Sequence, residues 1–232
     1  MMTIRKDEEE KIMKFMYERL LELEKEHVYE PGSVSLEFES EIRELGFEFE
    51  ISTQVERICQ ANPEITRDIV LKYYDMAVLS NEKAYLVNCL DSTYNKDLVP
   101  FFLKEFVKKE NTKYDPVIVS IGNFLMLNAD KKYTKEYIDI LNMPKEDLPY
   151  GKGYIIWVFE KLKLQEAIEP MLSLLKEEEN YTYIILNALR KYKEPSLLPV
   201  FNEYLDYKET DVRNVCKKAI AAIEKKMNDS KK

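Results

Sequence analysis

Apolar residues recur at helical spacing along most of the chain, and the clearest run lies between Glu194 and Lys225. The apolar positions of this run fall into two groups, which a polar break separates: Leu197, Leu198, Phe201, Tyr204 and Leu205, then Val212, Val215, Cys216, Ala219, Ile220 and Ile223. Apolar residues three or four positions apart lie on one side of a helix. The break at 207–210 therefore predicts two short helices with facing apolar stripes.

Fainter copies of this helix pair lie upstream, and each is marked by a proline. A shift of 29 residues places Pro170 on Pro199, and a further shift of 70 places Pro100 on Pro170. These shifts also align three apolar residues at one position of the repeat: Phe102, Leu172 and Phe201. Because 70 is two units of about 35 residues, one more pair is expected between the first two copies. Self-similarity at this period is typical of a helical solenoid.

The last pair carries the residues that link the chain to a known repeat family. Its first helix has Pro199 in a Leu-x-Pro-like context, and its second opens with a tripeptide: Asp211, Val212 and Arg213. This pattern resembles HEAT-type repeats, directly over 194–225 and loosely over about 63–226. The resemblance implies an all-α fold, a right-handed α–α superhelix whose extended concave face binds other proteins.

One α-solenoid domain is expected over residues 1–232. Its predicted parts are an N-terminal capping helix and turn, an acidic connecting region, and the helix-pair repeats: 1–34, 35–62 and 63–232. In the connecting region, apolar and acidic residues alternate over 47–51, which predicts either a short strand or an extended connection. Gly122 falls inside a long apolar helix, where glycine costs about 1 kcal/mol relative to alanine, so a close helix crossing is expected there.

The composition favours a folded protein rather than a disordered or membrane-spanning one. Only 5 Gly and 9 Pro occur in 232 residues, and 45% hydrophobic with 34% charged residues suits amphipathic helices. No apolar run is long enough to cross a bilayer, and no secretory signal is recognisable. We therefore expect a cytoplasmic protein with no membrane partner.

Residues suited to metal or cofactor chemistry are sparse. The three cysteines, Cys59, Cys89 and Cys216, each fall in a helical apolar pattern, which favours core packing. The single histidine, His27, cannot build a zinc site or a His-based triad with them. The glycines that flank Lys152 lack the spacing of a phosphate loop and predict only the start of a helix. No cofactor and no metal are expected.

The net charge of −8 lies entirely in the first fifty residues, which hold 7 Lys and Arg against 15 Asp and Glu. A phosphate backbone needs clustered cations, so nucleic acid is not the expected partner. Six glutamates, which only Arg43 opposes, are the candidate partner-binding residues: Glu37, Glu39, Glu41, Glu44, Glu48 and Glu50. Such an acidic patch would steer a basic partner, and a merely solubilising surface explains it equally well.

These features favour a non-enzymatic protein–protein interaction module over an enzyme. Its binding surface would be the concave solenoid face, the acidic N-terminal patch, or both. An inhibitory or toxin-neutralising protein that covers a basic nuclease is one specific form. A structural subunit of a larger assembly is a further hypothesis, and it predicts an exposed apolar patch.

The enzymatic alternative rests on resemblance. Some HEAT-like proteins are DNA glycosylases, which excise alkylated bases with aromatic residues and a carboxylate in a concave groove. Trp157 and Glu160 would be the equivalent residues here, and a positive groove would be required. The favoured interpretation places Trp157 in the repeat core and Glu160 in solvent, because large aromatic residues are usually buried.

Overall fold

The computed structural model describes residues 33–108, 115–144 and 151–229, and within these ranges it contains helices and no strands. The expected capping helix and turn of 1–34 falls almost wholly outside them. Twelve α-helices are described: α1 (Val34–Glu44), α2 (Ser52–Ala61), α3 (Pro63–Met76), α4 (Ser80–Cys89), α5 (Val99–Phe106), α6 (Pro116–Leu127), α7 (Thr134–Leu141), α8 (Lys152–Leu162), α9 (Ile168–Glu177), α10 (Thr182–Arg190), α11 (Leu198–Glu203) and α12 (Thr210–Asp229). The predicted all-α class is confirmed. None of the described helices combines the length and the apolar character that crossing a bilayer requires.

The chain divides into two compact units, Met1–Asn95 and Lys96–Lys232, where the sequence predicted one domain. In the first unit α1 packs on α3 and α2 packs on α4, while α3 and α4 also pack on each other. The region 35–62, expected to connect the capping helix to the repeats, contributes most of α1 and all of α2 to this unit. Between α1 and α2 the alternating residues 47–49 form an irregular connection and not a strand.

In its described residues, the second unit contains four helix pairs, α5/α6, α7/α8, α9/α10 and α11/α12. The second helices of consecutive pairs pack on each other, α6 on α8, α8 on α10 and α10 on α12. The first helices α7 and α9 also touch. The pair α7/α8 lies between the Pro100 and Pro170 copies, which confirms the additional pair that the repeat spacing predicted.

A short 3-10 turn precedes the first helix of each of these pairs, and the fourth residue after it is fully buried. These buried residues are Phe102, Tyr137, Met171 and Phe201. The sequence alignment placed Leu172 at this position, which is wrong by one residue, because Leu172 is only half-buried. Pro170 is the third residue of α9, whereas Pro100 and Pro199 are second in their helices. Proline is tolerated throughout the first turn, so it does not define the register.

Candidate functional site

An aromatic pair stands on α8 in the second unit, with Trp157 exposed and Tyr154 half-buried. The rings of Tyr154 and Trp157 meet edge to face, with centroids 5.3 Å apart and planes at 87°. Trp157 is 37% exposed, so the prediction that it lies in the core is wrong. Helix α8 buries another face, which is formed by Ile155, Ile156, Val158 and Phe159. By helical periodicity Trp157 lies on the opposite side, and Tyr154, one turn before it, is half-buried against α6. We call these two residues the aromatic platform.

Gly122 on α6 holds the aromatic platform in place. A Cβ atom at Gly122 would lie 2.3 Å from Cγ of Tyr154, so the tyrosine ring rests directly against the backbone of α6. This contact confirms the close crossing that the sequence predicted at Gly122. A platform fixed by packing before binding loses little conformational entropy when a partner docks.

Replacing Gly122 by alanine is expected to lower the free energy of unfolding by about 1–3 kcal/mol, since the added methyl group must displace the Tyr154 ring. Gly153→Ala is the matched control, because its Cβ would meet Ile184 at an ordinary 3.7 Å. That change should be neutral or stabilise the protein by up to about 1 kcal/mol. Urea denaturation followed by circular dichroism measures the free energy of unfolding of both variants. A Gly122→Ala variant as stable as wild type would contradict the packed platform.

Glu160 lies one turn beyond Trp157 and takes part in a polar network with α10 and the residue after it. Its Oε1 is 3.5 Å from Lys191 Nζ, and Asn187 Nδ2 donates to its Oε2 at 3.5 Å. Arg190 Nη2 donates to Asn187 Oδ1 at 2.9 Å. The carboxylate is partly exposed rather than simply solvated as predicted, and two of its neighbours are cationic.

A further cation flanks the platform on α8. Lys161 Nζ donates to the carbonyl oxygens of Met126 and Leu127 at 2.9 and 2.7 Å. A cation at the C-terminal end of α6 matches the negative end of the helix dipole. Lys161 thus links α8 to the end of α6, and Glu160 links α8 to α10 and to Lys191.

The six candidate glutamates do not form one exposed patch. Glu39 is buried and accepts hydrogen bonds from Ser52 Oγ at 2.7 Å and Tyr85 OH at 3.2 Å. It is therefore a buried hydrogen-bond acceptor, not a surface ligand. Glu41 pairs with Lys72 at 2.6 Å, and the Lys72 hydrogen bond lowers the pKa of Glu41. Four remain exposed: Glu37, Glu44, Glu48 and Glu50.

A buried ion pair is the feature that the sequence analysis missed. Lys152, between its two glycines, is 3% exposed, and its Nζ lies 2.7 Å from Oε1 of Glu178, which is 7% exposed. In the other second helices the matching buried positions hold uncharged residues: Ile118, Thr182 and Val212. A lysine at an apolar position of the repeat was thus the available signal. Glu178, its partner 26 residues away, is not distinguished by any such sequence signal.

All three cysteines are buried, as the sequence predicted. Burial raises the pKa of Cys89, and it raises the pKa of Cys216 to about 11. These two thiols are therefore protonated near neutral pH and are poor nucleophiles.

Comparison of the chain with protein-family models, with curated proteins and with solved structures finds no match in any of the three.

Proposed function

We propose that this protein is an α-solenoid, HEAT-like interaction module in the cytoplasm that binds another protein or a peptide and catalyses no reaction. The regular packing of second helix on second helix in the second unit supports the solenoid. Stacked helix pairs present an extended surface without a closed, dry cleft, and such surfaces suit partner binding better than catalysis.

The aromatic platform is the observation that carries this proposal. Burying Trp157 in the core would be favourable, yet it stands 37% exposed beside a tyrosine that Gly122 fixes in place. An exposed tryptophan that an ordered neighbour holds in place is a typical anchor of protein interfaces. The exposed glutamates of the first unit, such as Glu37 and Glu44, form a second proposed surface, which would attract a basic partner.

A Trp157→Ala variant is expected to bind the partner more weakly by about 2 kcal/mol or more, roughly thirty-fold. The partner is first captured with the tagged full chain from its native lysate, with nuclease present, and is then titrated as a purified protein. Tyr94→Ala is the control, since Tyr94 is 55% exposed in the first unit. Thermal unfolding verifies that both variants fold. Unchanged affinity of Trp157→Ala would contradict the proposal.

A DNA glycosylase that acts on alkylated bases is the second candidate, and the exposure of Trp157 on the same side of α8 as Glu160 favours it. The two functions differ in their need for a carboxylate. Glu160→Gln should abolish the release of alkylated bases from methylated DNA, whereas it should leave the binding of a protein partner nearly unchanged. Wild-type protein that releases no base would reject the glycosylase.

A further inference from the structure

The second helices of the second unit, α6, α8, α10 and α12, pack side by side. Two contacts define how the first three are aligned. Lys161 Nζ on α8 donates to the Leu127 carbonyl oxygen on α6 at 2.7 Å, and a Cβ atom at Gly153 on α8 would lie 3.7 Å from Ile184 Cδ1 on α10. Equivalent turns of these helices are therefore neighbours, so side chains at equivalent uncovered positions form one continuous surface.

Large apolar side chains are exposed on three of these helices. Val119 on α6 is 46% exposed, Trp157 on α8 is 37% exposed and Tyr183 on α10 is 45% exposed. Val119 and Tyr183 occupy the position that Gly153 holds in α8, and Trp157 lies one turn beyond that glycine. Trp157 is thus part of a wider surface that crosses neighbouring helices. We call this surface the second-helix face, and its apolar part consists of Val119, Trp157 and Tyr183.

The charged part of the second-helix face is mainly positive. Its residues lie on α8, on α12 and on or directly after α10: Glu160, Lys161, Arg190, Lys191, Arg213 and Lys217. Glu160 is the carboxylate of this set and lies 3.5 Å from Lys191 Nζ, so the other cations leave an excess of positive charge. Lys217 is exposed and forms no ion pair with a described residue. The chain as a whole carries a net charge of −8, so the excess is a property of this surface and not of the composition.

An acidic polypeptide segment fits the second-helix face better than a nucleic acid does. Helix α6 contains no charged residue, so one end of the face is apolar and uncharged. A nucleic acid carries a negative charge at every nucleotide, and those over α6 would have no cation. A polypeptide can place apolar residues over α6 and α8 and carboxylates over α10 and α12. Packed helices lie about 8–10 Å apart and an extended chain rises about 3.3 Å per residue, so a segment of roughly eight residues crosses all four helices.

We infer that the second-helix face binds an extended acidic segment of a partner protein, whose apolar residues pack on Val119, Trp157 and Tyr183 and whose carboxylates pair with Arg190 and Lys217. The inference rests on the proposed function, since Trp157 belongs to both, and it adds the chemistry of the partner. The exposed glutamates of the first unit would attract a segment of the opposite charge, so the two surfaces select different partners.

Selection of a phage-displayed library of random octapeptides on the immobilised full chain tests this chemistry. We expect a class of enriched peptides that combines acidic with aromatic or aliphatic residues, although the net negative charge of the chain favours basic peptides in nonspecific binding. The enriched acidic peptides are then titrated by fluorescence anisotropy. Lys217→Glu should bind them at least about five-fold more weakly, because the reversed charge repels their carboxylates. Lys176→Glu, at an exposed position of the first helix α9, is the matched control and should bind as wild type.

Three results would overturn the inference: a selection that enriches no acidic peptide, equal affinity of Lys217→Glu and wild type for the acidic peptides, or tighter binding of an oligothymidine of similar length. The proposed function has its own test. A captured partner that binds through Trp157 by a segment without acidic residues would overturn the inference and leave the proposed function standing. Unchanged affinity of Trp157→Ala for the captured partner would instead contradict the proposed function itself.

Discussion

Replacing Lys152 alone by methionine is expected to lower the free energy of unfolding by about 3–5 kcal/mol, because the change leaves the Glu178 carboxylate buried without its cation. Lys152 and Glu178 are 3% and 7% exposed, so water cannot take over the role of the lost partner. Urea denaturation followed by far-UV circular dichroism gives the difference from wild type.

Two control variants test whether stability falls because Glu178 is left unpaired or simply because a lysine is replaced. In Lys152→Met/Glu178→Gln both charges are removed together, and stability should return to near or above the wild-type value. Lys208→Met breaks an exposed ion pair with Glu179, the residue after Glu178. The side chains of Lys208 and Glu179 are 63% and 64% exposed, so this change should alter the free energy of unfolding little. A Lys152→Met variant that loses no more stability than Lys208→Met would contradict the burial of the first pair.

Phe102→Ala is expected to lower the free energy of unfolding by about 3–5 kcal/mol, since it removes a fully buried ring and leaves a cavity. Phe102 is 0% exposed, and its ring centroid lies 4.6 Å from that of Phe124, so α5 and α6 are joined through this contact. It also occupies the anchor position that Tyr137 and Phe201 hold in other pairs. The measurement is again equilibrium unfolding in urea.

The adjacent Phe101 supplies the matched control. It is only half-buried, although the centroid of its ring lies 5.1 Å from that of the Phe102 ring. Phe101→Ala removes the same atoms from the neighbouring position, so its cost should be clearly smaller. Equal losses from the two variants would show that the fourth residue after the 3-10 turn is not the anchor of the pair.

The sequence by itself determined the helices and most of their pairing. Apolar residues at helical spacing set the faces of α5, α6, α11 and α12, because a helix exposes its stripe unless a neighbour covers it. The proline spacing predicted the additional pair α7/α8, and Gly122 marked the close crossing before any contact was known. These features are local or periodic, so one amino-acid sequence is enough to recognise them.

Only the tertiary structure decided which side chains are buried at the anchor positions, at the aromatic platform and at the polar contacts. Met171 rather than Leu172 is buried, and Trp157 is exposed, because the neighbours of a helix select among its apolar positions. Glu39 and Lys152 are buried because partners distant in sequence, Tyr85 and Glu178, reach them across the packed helices. Periodicity describes one helix at a time, whereas burial of a charge depends on groups from several, so packing alone determines where these polar residues lie.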